Sequence, residues 1–175
     1  MRSMRNAVGV VATLLAVSGC GGIFAPPAAP PSVSVTPSPS YSVPEAAAAH
    51  SPKGAAAFVR FYYTQLNAAY TQPSGVLLGP LGADSCEACT AYEELAASLV
   101  QQGQRVDTDP VEVVSLNVTS ASTAETVVAE VQMRQAAANV VDATGAILNT
   151  QEAKEYQAVL EVVWQGDRWL LGSVN

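Results

Sequence analysis

The sequence predicts an α+β fold in which N-terminal helices pack on one face of a curved antiparallel sheet. Three observations carry this reading. Apolar residues recur at helical spacing from Phe58 to Tyr70 and again from Tyr92 to Leu99. After Pro110 the period changes to alternation, the pattern of half-buried strands. The helical segments come first and the strands follow, which suits helices gathered on one side of an antiparallel sheet.

The chain opens with a different kind of segment. Arg2 and Arg5 precede an apolar run from Ala7 to Val17, too short to span a bilayer but suited to the apolar region of a signal peptide. Ser18 and Gly19 then lead into Cys20, and this string resembles the lipobox of bacterial lipoproteins. The resemblance implies that residues 1–19 are a lipoprotein signal peptide. It makes Cys20 the mature N-terminus, carrying a diacylglyceryl thioether and further acylated, for example with palmitate. Two acyl chains anchor stably where one binds reversibly, since each buried methylene contributes about 0.8 kcal/mol. The expected location is therefore the extracytoplasmic face of the cell membrane, with the membrane as a partner through Cys20.

Residues 20–50 read as a disordered Pro/Ser/Ala-rich linker. Pro26, Pro27, Pro30, Pro31, Pro37, Pro39 and Pro44 alternate with serines, and such a segment buries too little apolar surface to offset its ordering entropy. Extended as polyproline II at ~3.1 Å per residue, it reaches at most roughly 90 Å.

From Ser51 to Asn175 the pattern suits one globular domain with one core. Ser51-Pro52 gives a helix N-cap followed by proline at the first helical position. Phe58, Phe61, Tyr62, Leu66, Ala69 and Tyr70 form a stripe down one face of that helix. Thr71 to Gly75 ends it, and Val76-Leu77-Leu78 with Leu81 suggests a short turn. Asp84 and Glu87 read as the capping pair of a second helix, with Tyr92, Leu95, Ala96 and Leu99 as its buried face and Gly103 as its stop.

The strands follow in order. Val114, Leu116 and Val118 mark the first; Val127, Ala129, Val131 and Met133 mark the next. Val140-Val141 and Asp142 to Gly145 give a short strand and a turn. Tyr156, Ala158, Leu160, Val162 and Trp164 are one face of a long strand. Gly166-Asp167 then forms a two-residue hairpin loop that sets Trp164 opposite Trp169 on the last strand, which Leu171 continues.

Certain residues also carry a family likeness: the helix from Phe58-Val59-Arg60-Phe61-Tyr62-Tyr63 to Asn67-Ala68-Ala69-Tyr70, the stretch Gly75 to Leu81, the pair Cys86-Glu87-Ala88-Cys89, and the terminal Trp164-Gln165-Gly166-Asp167-Arg168-Trp169. Over residues 51–175 this resembles an uncharacterised family of actinobacterial lipoproteins with a nuclear-transport-factor-2-like (cystatin-like) α+β roll. The resemblance implies a cone-shaped fold with a cavity between helices and sheet. It implies no activity.

Charge narrows the partners. The chain has 8 Lys+Arg against 15 Asp+Glu, a net charge of −7. Loss of the leader takes Arg2 and Arg5 with it and leaves −9. That balance disfavours nucleic acid and electrostatic adsorption to anionic lipid.

Cys86 and Cys89 are the one pair with chemical scope. A zinc site needs further ligands, and the sole histidine, His50, falls in the linker, so no metal is expected. A redox dithiol is one reading, because a helix N-terminus lowers a thiol pKa and puts Cys86 on an exposed first turn. The favoured reading is a local structural disulfide, since no tryptophan precedes Cys86 and no strand–helix–strand unit surrounds it.

No catalytic residue is expected. Glu130, Glu155 and Glu161 have the parity opposite to the apolar face of their strands, so no acid–base pair points inward. Tyr62, Tyr63, Tyr92 and Tyr156 are candidates to offer hydroxyls to a pocket, with Trp164 and Trp169 as further lining. The resulting expectation is a non-enzymatic, membrane-tethered module, without cofactor, that binds an apolar small molecule in its cavity or an envelope protein on its sheet. The alternatives are an isomerase- or dehydratase-type enzyme using the cavity, and a redox module using Cys86 and Cys89.

Overall fold

A computed structural model describes residues 42–73, 77–119 and 122–175. The leader, Cys20 and most of the linker lie outside the described residues. The elements run in the order α1 (Glu45–Ala48), α2 (Pro52–Thr71), a 3-10 turn (Gly79–Leu81), α3 (Glu87–Gln102), β1 (Arg105–Val106), β2 (Val111–Val118), β3 (Thr126–Gln135), β4 (Ala138–Val141), β5 (Ile147–Gln151), β6 (Lys154–Gln165) and β7 (Arg168–Val174). The strands form a four-stranded antiparallel sheet, β2-β3-β6-β7, and a smaller one, β1-β4-β5. Helices on an antiparallel sheet are the α+β arrangement expected. Among the described residues no helix is long and apolar enough to cross a membrane.

Helix α2 is the centre of the core. Ser51 caps it by accepting the Gly54 N–H at 3.1 Å, and Pro52 opens it. Phe58, Val59, Tyr62, Tyr63, Leu66, Ala69 and Tyr70 are all buried, a wider face than a single stripe. Polar residues fasten its outer side to the edge strand. Asn67 exchanges two hydrogen bonds with the Val111 backbone at 2.7 and 3.1 Å, and Arg60 donates to the Val113 carbonyl at 3.2 Å.

Helix α3 starts later than the capping expectation. Its N-cap is Cys86, whose Sγ accepts the Cys89 N–H at 3.2 Å, and Glu87 is the first helical residue. The disulfide Cys86–Cys89 closes the first turn, with both residues buried. A Cβ on Gly82 would come within 2.7 Å of Cys89 Cβ, so the chain can pass under the disulfide only as glycine. Gly103 ends the helix in the left-handed region at φ 62°, as expected. Leu95 departs from its expected place. It is 50% exposed, while Ala96 and Leu99 take the buried face.

The inward parity of β3 and β6 stands: Val127, Ala129, Val131, Met133, Ala158, Leu160 and Val162 are buried. Strand β2 corrects the expected parity. A bulge between Val113 and Ser115 shifts its register, so Val113 and Leu116 turn toward the core and Val114 and Val118 lie exposed. The terminal hairpin is as expected. Gly166 and Asp167 both have positive φ, the requirement of a two-residue turn, and Trp164 pairs with Trp169, ring centroids 5.1 Å apart and edge to face.

The packed unit also extends further toward the N-terminus than the Ser51 boundary. Ala47 of α1 is buried, and the Trp169 indole N–H donates to the Ala49 carbonyl at 2.8 Å. His50 stacks on Trp164 at 4.2 Å and bonds the Ala124 carbonyl at 3.0 Å. Residues 43–50, expected as linker, thus cover the tryptophan hairpin. The α1–α2 junction is tight, since a Cβ on Gly54 would collide with the Ala49 carbonyl oxygen.

This cover sets a measurable difference. A chain beginning at Ser51 should be about 1–3 kcal/mol less stable to urea than one beginning at Ser42, the scale of one buried hydrogen bond plus an aromatic stack. Equal midpoints and slopes for the two would show that the cover contributes nothing.

Candidate functional site

Between the two long helices and the strands lies a cavity of about 310 Å³. Helix α2 contributes Tyr63, Leu66 and Tyr70, spaced i, i+3 and i+7 on one face; α3 contributes Tyr92, Leu95 and Leu99 at the same spacing. The opposite wall is Val106, Pro110, Val111, Gln135, Val140, Gln151 and Tyr156. No charged side chain is among the lining residues. A second depression of about 400 Å³ is a polar groove on the outer face of the large sheet, bordered by Ser115, Asn117, Glu130, Gln132, Gln157 and Asn175. The first is walled by both helices and sheet, and is the candidate site.

Its electrostatics are those of crowded, desolvated phenols. Burial, reinforced by neighbouring tyrosines, pushes the hydroxyls of Tyr62, Tyr63 and Tyr70 far above the ordinary phenol range. Burial raises Tyr92 and Tyr156 as well. Tyr70 donates a long hydrogen bond, 3.4 Å, to the Tyr92 backbone carbonyl. The Tyr63 hydroxyl is shut off from solvent with no hydrogen-bond partner, and Tyr92 is near enough to perturb it. Gln135 at the rim donates to the Glu152 carbonyl at 3.3 Å.

Each expected site residue has a definite place. Tyr92 and Tyr156 line the cavity, and so does Tyr63. Tyr62 does not: it is fully buried behind Tyr63, ring edge against ring at 5.6 Å, with its own hydroxyl unpaired. Trp164 and Trp169 lie at the other end of β6, under His50, and line no part of the cavity. Tyr70 joins the lining although its helical spacing marked it only as core; the seven-residue step from Tyr63 was the signal. The strand carboxylates Glu130, Glu155 and Glu161 are exposed, as their parity predicts, and Glu125, which shares the parity of the apolar face, is exposed because it precedes β3.

The cysteine pair has a definite setting too. Both sulfurs are in the disulfide, and Cys86, expected to be the more exposed, has no solvent exposure at all, while Cys89 has 7%. Attack by an external thiolate needs an accessible sulfur. Cys86 offers no such access in this geometry. Among the described residues no three His, Cys, Asp or Glu side chains converge as a metal site would require.

The phenol cluster has a pH signature. The folded state favours the neutral phenol, so its contribution to stability is complete below the ordinary phenol pKa near 10 and is lost as pH rises beyond it. Ultraviolet difference titration should show Tyr62, Tyr63 and Tyr70 ionising only together with alkaline unfolding. Independent titration of these three near the ordinary value, with the fold intact, would contradict the burial described.

Comparison with known proteins locates the fold. The intermembrane space region of the chloroplast protein ARC6 is similar with a TM-score of 0.55 at 16% identity, covering 71% of this chain and 95% of that one. A type 2 hexachlorocyclohexane dehydrochlorinase (LinA) gives a TM-score of 0.45 at 13% identity, covering 69% and 82%. A cystatin-like-fold protein from Caulobacter vibrioides gives 0.43 at 10%, covering 66% and 83%. At such identities the likeness concerns the fold alone. No curated protein matches the sequence significantly. The model of DUF6318, a family of unknown function, matches residues 31–175, and the chain belongs to that family.

Proposed function

We propose that this protein is a lipoprotein anchored at Cys20 to the extracytoplasmic face of the cell membrane, of actinobacterial type, whose folded domain binds an apolar small molecule. The observation that carries the binding reading is the cavity of about 310 Å³ walled by tyrosine, leucine and valine with no charged side chain. That volume lies at the small end of the ~300–1,000 Å³ typical of ligand pockets. Burial of a ligand's apolar surface there contributes about 25 cal/mol per Å² before association costs. The lining has no carboxylate or imidazole to move a proton, which favours binding over isomerase or dehydratase chemistry. The buried disulfide likewise favours a structural role over a redox one. The anchoring half of the reading is supported by the lipobox-like Ser18-Gly19-Cys20 and the apolar run before it.

Two experiments test the two halves. The neutral fluorophore phenylnaphthylamine should bind saturably with enhanced emission, and Val140→Phe, which fills the cavity from its wall, should weaken it at least tenfold while the protein still unfolds cooperatively. Unsaturable binding, or equal binding by the variant, rejects the cavity. For the anchor, Cys20→Ser should shift the protein from the membrane fraction to the soluble one or leave the leader uncleaved. Unchanged partition into detergent rejects Cys20 as the lipidated residue.

A further inference from the structure

The cavity's polar groups are unusual in kind, and they restrict its ligand beyond apolarity. We infer that it takes a neutral molecule with an apolar body and one hydrogen-bond acceptor, such as a ketone oxygen, received by the Tyr92 hydroxyl with Tyr63 behind it. This rests on the cavity reading proposed above and adds the chemistry of its occupant.

Three observations lead there. The lining offers no charged side chain, so an ion would be desolvated without a countercharge, which is costly. A neutral occupant is therefore favoured. Next, the polar groups are mostly phenols, each with a proton to give. Tyr70 has its proton committed to the Tyr92 backbone carbonyl. Tyr63 is different: its hydroxyl is buried with no hydrogen bond. A buried donor left unmade is expensive, and Tyr92, on the facing helix and lining the same cavity, is close enough to act on it. Finally, Tyr92 is only partly buried and borders the open part of the cavity near Leu95.

These fit together as a relay of donors. When Tyr63 donates to the Tyr92 oxygen, that oxygen's lone pair on the inner side is occupied. The Tyr92 proton then points away from Tyr63, into the cavity. An acceptor atom arriving there completes a chain, Tyr63 O–H to Tyr92 O–H to ligand oxygen, in which each bond polarises the next. No bond is broken and no proton is transferred. A pure hydrocarbon would leave the Tyr92 proton without an acceptor.

The test uses the purified protein and two probes of one shape: acetonaphthone, which carries a ketone, and isopropenylnaphthalene, in which a methylene replaces the ketone oxygen. Affinities come from displacement of phenylnaphthylamine. Tyr92→Phe should weaken the ketone about tenfold, the scale of one lost buried hydrogen bond, and the hydrocarbon less than about twofold. Tyr63→Phe should weaken the ketone by about threefold. A second readout needs no variant: the infrared carbonyl stretch of bound acetonaphthone should lie below its position in hexane. A stretch unshifted from hexane, or ketone and hydrocarbon weakened equally by Tyr92→Phe, overturns the acceptor assignment while the cavity reading stands. Binding of tetramethylammonium in place of the ketone overturns it in favour of a cation held by ring faces. Failure of both naphthalene probes to bind the wild-type protein removes the cavity reading and this inference together.

Discussion

The structure turns on the burial of helix α2, which must hide aromatic residues on two sides at once. Tyr62 and Tyr63 are adjacent, so they project about 100° apart around the helix, and both are inside. A flat sheet could cover one of them. Covering both takes a sheet that curves round the helix, with α3 and the small β1-β4-β5 sheet completing the enclosure. On the Tyr62 side the packing closes. On the Tyr63 side it leaves space, and that space is the cavity.

The polar clamps on the outer side of α2 belong to the same constraint. Asn67 and Arg60 hold the start of β2 against the helix, and the bulge at Val114 lies in the stretch they grip. A bulge sharpens strand twist and bending. It lets β2 begin beside α2, with Val111 in the cavity wall, and still pair with β3 to its end. Two helix side chains thus hold this edge beside the bulge. The exposed Arg134–Glu112 and Arg134–Glu155 pairs, which tie the same three strands together, contribute little by comparison.

How much of this could be read from the sequence follows from how local each cause is. Alternation along β3 and β6 is a property of the strand itself, so the inward residues and the outward carboxylates were legible. The Gly166-Asp167 turn is equally local. The β2 parity was not, because the bulge sits in a stretch held by Asn67 and Arg60, whose partners there are 44 and 53 residues away in sequence. Strand β5 was missed because all its residues are exposed, which leaves no alternation to read. His50 looked like linker because a single aromatic residue among prolines and alanines carries no periodicity. Its role exists only once the hairpin brings Trp164 and Trp169 together. Of the site, Tyr92 and Tyr156 were legible as half-polar residues on apolar faces. Trp164 and Trp169 were misplaced because parity gives the face of a strand and not the position along it.

Position along β6 also bears on how the proposed anchoring and the proposed binding would coexist. Tyr156 borders the cavity near one end of the strand, and Trp164 lies under His50 near the other. Eight residues at ~3.3 Å separate them by about 26 Å. The N-terminal segment thus enters the domain at the tryptophan end, and the phenols sit at the opposite end. With the proposed anchor at Cys20, tension or movement in the tether would act on α1 and the tryptophan hairpin, and would reach the cavity along α2 and along the sheet. A tether entering beside Tyr92 would compete with a ligand for the same mouth. The contacts of Ala49 and His50 with the tryptophans place the described start of the chain at the far end instead. In the proposed reading, the segment that looked like the last of the linker would separate the two tasks.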